Sequence, residues 1–252
     1  MVRLNELLNY CDTLLNAGDY QDYSPNGLQV EGRDEVRKIV SGVTASQALI
    51  DAAVEAEADL LLVHHGFFWK GEKPSIVGMK QRRIKALLEN DISLVAYHLP
   101  LDGHAEFGNN AQLAKLLGVT VEGRFGPGPQ GGIAMMGELS EALSAETLSL
   151  HIADNLQRTP LLIKGGEKPV KRLGWCSGGA QGYLEEAAAL GLDAYISGEV
   201  SEPTVHTARE LGIHYFAAGH HATERYGVKA LAEHLSEYFS LENYFVDIDN
   251  PV

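Results

Sequence analysis

The sequence predicts an α/β protein of two related lobes with largely parallel sheets, built by internal duplication. Three observations carry this. Asp59-Leu60-Leu61-Leu62-Val63 is a continuous apolar run, as in a strand buried on both faces of a parallel sheet. Strand and helix patterns alternate along the chain, which implies right-handed crossovers between parallel strands. The second half then repeats the order of the first. At 252 residues the chain exceeds the usual single-domain size. We therefore expect a first lobe over 1–122 and a second over 123–252, with the C-terminal segment 213–252 free to pack back against the first.

The opening element is an amphipathic helix, because Leu4, Leu7, Leu8, Cys11, Leu14 and Leu15 recur at helical spacing. Ser24-Pro25-Asn26-Gly27 reads as a turn and Lys38 to Val43 as a short strand. A helix rich in Ala and Glu follows from Ala45 to Ala58, before the apolar strand that ends at His64-His65-Gly66. A helix around Met79 to Glu89 leads to a strand from Ile92 to Tyr97, which ends at His98-Leu99-Pro100-Leu101-Asp102. In the second half, Leu173 to Ser177, Leu184 to Ala189, Leu192 to Ser197 and Ile213 to Ala218 echo this strand-helix-strand-strand order. The glycine- and proline-rich stretch Gly123 to Gly132 is the expected hinge. Beyond it come a strand at Ile133 to Met136, a helix over Ala145 to Leu156 and a strand at Leu161 to Lys164.

Composition narrows the function. Apolar residues make up 45% of the chain, enough for a real core, and no apolar run approaches the ~20 residues that span a bilayer. The amino terminus lacks the shape of a signal peptide, so the protein should stay in the cytoplasm without a membrane partner. Its formal charge of −14 repels polyphosphate backbones and disfavours nucleic acid. Cys11 and Cys176 are too few for a disulfide framework or a structural zinc cluster, so any metal must use His and carboxylate ligands.

Such ligands stand at the carboxyl ends of the predicted strands, where α/β sheets gather their ligands. Neighbouring residues within a strand point to opposite faces, but at a strand end His64 and His65 can diverge, each serving one ion of a pair ~3.5 to 4 Å apart. The alternative is a surface or core histidine pair. His220 and Glu224 share a helix face if a helix starts near Gly219, whereas His221 points elsewhere. Asp102 follows His98 by the same four residues, in what Pro100 marks as a loop. Taken in order, His98 to Asp102 and His220 to Glu224 occupy like positions in the two halves. Glu199 falls where His65 falls in the first half and could orient a ligand or act as a base. Ser177 to Gly182 resembles a phosphate-cradling loop between strand and helix but matches neither a P-loop nor the dinucleotide fingerprint, so a tight structural turn is the preferred reading. Phe67-Phe68-Trp69 could stack on a planar base, with packing in a core or an interface preferred.

Asn26-Gly27-Leu28-Gln29-Val30, Val63 to Gly66, His98 to Asp102 with Gly108-Asn109-Asn110, and Gly219 to Glu224 together resemble the NIF-three-like proteins, also called GTP cyclohydrolase 1 type 2 homologues. The resemblance covers nearly the whole chain and is strongest to short bacterial YbgI-type members. It implies two lobes, a dinuclear centre between them and a ring-shaped homohexamer. By matched position, it implies that His64, His65, Asp102, His220 and Glu224 hold two divalent cations per chain (Zn, Mn, Fe or Co), with both carboxylates bridging and His98 beside them. The inserted domain of longer relatives is missing.

The expected activity is a metal-dependent hydrolase acting on a small molecule, with a nucleotide such as GTP as the candidate and His98 or Glu199 as proton shuttle. The alternative is a non-enzymatic metal carrier or ring-shaped adaptor. A nucleic-acid enzyme would need a basic channel, against which the net charge speaks.

Overall fold

The run Asp59 to Val63 is the buried centre of a sheet in the computed structural model, which describes residues 1–252. The chain begins with β1 (Val2–Arg3), α1 (Leu4–Leu15), β2 (Gly27–Val30), β3 (Glu35–Val36), β4 (Lys38–Thr44), α2 (Gln47–Glu55) and β5 (Leu60–His65). It continues through α3 (Gly78–Glu89), β6 (Ser93–Ala96), α4 (Leu99–Gly103), α5 (Asn109–Leu117), β7 (Thr120–Phe125), β8 (Ala134–Leu143), α6 (Ala145–Leu156) and β9 (Leu161–Ile163). The last elements are β10 (Val170–Cys176), α7 (Leu184–Ala189), β11 (Ala194–Ser197), α8 (Glu202–Leu211), β12 (His214–Ala217), α9 (His220–Phe239) and β13 (Glu242–Phe245). None of these helices is long and apolar enough to cross a membrane.

Two compact units divide the chain. The first comprises Met1–Gly108 and Gly227–Asp249, the second Asn109–Tyr226 and Asn250–Val252. In the first unit the sheet order is β13-β4-β5-β6-β2, parallel throughout except for antiparallel β2 at the edge. Residues alternate between two cores. Ile39, Leu60, Leu62 and Val95 join α1 and the later part of α9 through Leu7, Cys11, Val228, Leu231 and Leu235. Val40, Leu61, Val63 and Leu94 pack instead with Leu49 and Ile50 of α2 and Leu87 of α3. A strand covered on both faces has no polar alternation to keep, which is why β5 reads as an unbroken apolar run.

The second unit has the sheet order β7-β8-β10-β11-β12-β9. Its centre, β10-β11-β12, is parallel, while β7, β8 and β9 are antiparallel to their neighbours. Trp175, Leu173, Ile196 and Phe216 meet Leu113 and Leu117 of α5 and Leu148, Ile152 and Leu156 of α6 in one core.

The duplication is visible in the ladders. Asp59 N–H donates to the Lys38 carbonyl and Ser93 N–H to the Asp59 carbonyl, each at 3.0 Å. Asp193 repeats this, donating to Arg172 at 2.8 Å and accepting from His214 at 3.0 Å. The order β4-β5-β6 is thus reproduced by β10-β11-β12. At the other strand ends, Tyr97 N–H donates to Val63 and Ala218 N–H to Ser197, so Tyr97 answers to Ala218. This corrects one expectation. His98 answers to Gly219 and His220 to Leu99, one residue out of step with the spacing read from sequence.

Candidate metal centre

In the first unit, β5 carries His64 and His65 as its last two residues. His64 is fully buried, and its Nδ1 lies 2.9 Å from the Tyr97 carbonyl oxygen. A carbonyl only accepts, so Nδ1 carries the proton and Nε2 presents a lone pair. That Nε2 faces Asp102 Oδ1 at 3.4 Å. A lone pair and a carboxylate so placed could share a cation, and His64 and Asp102 both belong to side-chain groups able to hold one. His65 is half-buried, with Nδ1 3.2 Å from Thr44 Oγ1 and its ring centroid 4.5 Å from that of His64. His98 completes the group: one ring nitrogen each of His64, His65 and His98 lies within 4.8 Å of the others, a set that could hold a metal ion.

Asp102 belongs to α4 rather than to a loop. Pro100 sits in the first turn of that helix, where its missing N–H would have no partner to bond. The segment Asn26 to Val30 explains itself here. Asn26 Oδ1 accepts from the His98 backbone N–H at 2.8 Å, and Gln29 Oε1 accepts from Phe67 N–H at 2.6 Å. Gly66 is required beneath that contact, since a Cβ there would stand 2.1 Å from Gln29 Oε1. Phe67 enters the core, while Phe68 turns the chain at φ 65°, a left-handed conformation costly for a bulky side chain. Trp69 then meets the His98 ring edge-to-face, with centroids 5.0 Å apart.

Sequence reasoning missed Asp22. Its side chain is 4% exposed, and Oδ1 lies 2.6 Å from His98 Nδ1. Burial by itself would raise its pKa, but His98, Asn26 and the Leu99 N–H hold the carboxyl at about 2. No local pattern marks it, because its partner lies 76 residues away.

The second unit holds His220, Glu224 and Glu199. His220 opens α9 and Glu224 follows one turn later, with Nε2 and Oε2 3.2 Å apart. His220 Nδ1 lies 2.7 Å from Glu199 Oε1, so Glu199 fixes the ring from behind, as outer carboxylates do for metal-binding histidines. Burial alone would lower the pKa of His220; Glu224 and Glu199 reverse this and raise it to about 9, so the position strongly favours positive charge. The Ser177 to Gly182 turn is held by the fold. Asn110 Oδ1 accepts from Ser177 N–H at 2.9 Å, and Thr223 Oγ1 accepts from Gly178 N–H at 3.0 Å. Gly178 has φ 66°, and a Cβ there would stand 2.2 Å from Glu224 Oε1. Imidazole and carboxylate donors of this kind fit Zn, Mn, Fe or Co and do not select among them.

Known proteins share this chain's features over its whole length. A protein of Pseudomonas aeruginosa called "GTP cyclohydrolase 1 type 2 homolog" is 59% identical over 250 residues, 99% of each chain. A solved structure described as protein ybgI, of unknown function, superposes with a TM-score of 0.96 at 52% identity, covering 100% of both chains. That of TTHA1606 from Thermus thermophilus does so with a TM-score of 0.87 at 36% identity, again over 100% of both. The family model described as Duf34/NIF3 (NGG1p interacting factor 3) matches residues 2–251, and the chain belongs to that family.

Proposed function

We propose that the protein is a hydrolase of small molecules dependent on two divalent cations, for which His64, His65, Asp102, His220 and Glu224 are the ligands. One observation carries the reading. In each unit a histidine has its Nδ1 tied to an acceptor and its Nε2 turned onto a carboxylate, at 3.4 Å for His64–Asp102 and 3.2 Å for His220–Glu224. Such pairs are built for a cation. Bound cations of this class acidify water and neutralise negative charge that develops on a substrate.

The chain's own residues divide the remaining work. His98 takes the proton, since its Nδ1 is engaged by Asp22 and its other nitrogen is left for exchange. Glu199 touches His220 and acts through it, which makes it a positioning residue. The name shared by relatives supports a nucleotide such as GTP as substrate, and Trp69 beside His98 offers a wall for a planar ring. The same family reading brings a homohexamer, which light scattering at the 27.3 kDa monomer mass would refute.

Elemental analysis after reconstitution with Mn, Zn or Fe tests the centre. Wild type and the exposed control His206→Ala should hold about two ions per chain, and Glu224→Gln and His64→Ala fewer. A full complement in Glu224→Gln would place the ions elsewhere. Nucleotides, amides and phosphoesters are then screened with the loaded protein, and no turnover of any would favour a metal carrier.

A further inference from the structure

We propose that Asp22 is the positioning carboxylate of His98, fixing the tautomer in which Nδ1 carries the proton and Nε2 stands ready to accept one. The assignment rests on reading the His64, His65 and Asp102 group as part of a hydrolytic metal centre, and it places a proton-accepting pair, Asp22 and His98, beside those ligands.

The geometry is specific. Asp22 Oδ1 meets His98 Nδ1 at 2.6 Å and also accepts from Tyr23 N–H at 2.6 Å. Its Oδ2 accepts from Leu99 N–H and from Asn26 Nδ2, both at 2.9 Å. Asn26 cannot turn its amide over, because its Oδ1 accepts from the His98 backbone N–H. Ring and backbone of His98 are therefore held by one short segment, Asp22 to Asn26, through contacts that each demand a defined donor and acceptor. A carboxylate cannot donate, so the Nδ1 of His98 must. The nitrogen left for chemistry is Nε2, and one ring nitrogen of His98 lies within 4.8 Å of a nitrogen of both His64 and His65.

In the step this serves, water gives its proton to His98 Nε2 while the oxygen forms its bond to the electrophilic atom of the substrate. The resulting imidazolium keeps its Nδ1–H on the Asp22 carboxylate, which stays ionised, and Nε2 returns the proton to the leaving group. The duplication does not supply a second copy, because the position answering to His98 is Gly219.

Asp22→Asn is the decisive variant. Two fixed donors face the Oδ2 position against one at Oδ1, so the new carbonyl oxygen settles at Oδ2 and the amide NH2 faces His98. The ring must then accept at Nδ1 and carry its proton on Nε2. Long-range 1H–15N spectra of the full-length, metal-free protein with 15N-labelled histidine read this directly. In wild type, His98 Nε2 should show the pyridine-like shift. In Asp22→Asn it should move to the pyrrole-like range, with His64 and His65 unchanged as a check on the fold. Mn content should equal that of wild type. An unchanged His98 tautomer would overturn the assignment, and so would loss of Mn with the flip, which would make His98 a ligand. Wild-type Mn content alone judges the underlying metal reading, independently of the tautomer.

Discussion

Asp59 and Asp193 make the same contacts at the same strand start in the two units. Asp59 Oδ2 accepts from Arg37 N–H at 2.8 Å and Lys38 N–H at 3.0 Å; Asp193 Oδ2 accepts from Lys171 at 3.0 Å and Arg172 at 2.9 Å. In each, Oδ1 meets a cation, Arg33 or Lys168. The carboxylate ties the start of one parallel strand to the start of the next. Replacing Asp59 with Ala strands two backbone donors and should cost about 2–3 kcal/mol in urea unfolding. Asp193→Ala should cost a similar amount, because its side chain is as well buried, 7% exposed against 10% for Asp59. A loss below roughly 0.5 kcal/mol at Asp59 would reduce the motif to a surface contact.

Gly178→Ala should damage metal binding without touching a donor. Alanine at φ 66° is strained by about 1 kcal/mol, and its Cβ would collide with Glu224 Oε1. The carboxylate must move. Calorimetric titration with Mn should show weakened binding, by at least tenfold if Glu224 is a ligand. Wild-type affinity would mean that the metal does not need Glu224 where it stands.

Acid should uncover Asp22. Its folded pKa of about 2 lies below the ~3.9 of an unfolded aspartate, so its contribution is present above pH ~4 and is lost as pH falls towards 2. Urea midpoints measured from pH 5 to 2 should fall less steeply for Asp22→Asn than for wild type. Parallel curves would show that Asp22 is not held ionised by its partners.

Both thiols should be silent in the native protein. Cys11 and Cys176 are buried, and burial together with neighbouring Asp12 pushes the Cys11 thiol up to about 12, leaving almost no thiolate at neutral pH. A disulfide reagent should titrate two thiols per chain only after denaturant is added. Fast native labelling of Cys11 would reveal an opening of the α1 core.

What was legible in the sequence followed from burial. β5 stood out because both its faces are covered, and α6 and α7 start and stop where periodicity puts them. β7 and β13 escaped notice because they are edge strands with several exposed side chains. Among the candidate residues, His64 and His65 stand out at the end of β5, while His220 and Glu224 stand out by their four-residue spacing at the start of α9. Asp22 did not, since its role is set by a partner 76 residues away. Counting four residues from His98 and from His220 suggested equivalence, yet only the ladder fixes register, and it sets the two spacings one residue apart.

The helix His220–Phe239 gives its first seven residues to the second unit and the rest to the first. Val228, Leu231, Ala232 and Leu235 complete the core around Leu7 and Leu62, and β13 extends the sheet beside β4. During synthesis the first unit therefore waits: its amino-terminal 108 residues emerge early but keep an open sheet edge and an unfilled face until residues 227–249 follow. The second unit, contiguous but for its last three residues, can gather first. The order of folding on the ribosome thus runs against the order of translation, and the nascent first half is the stretch that a chaperone would have to shield.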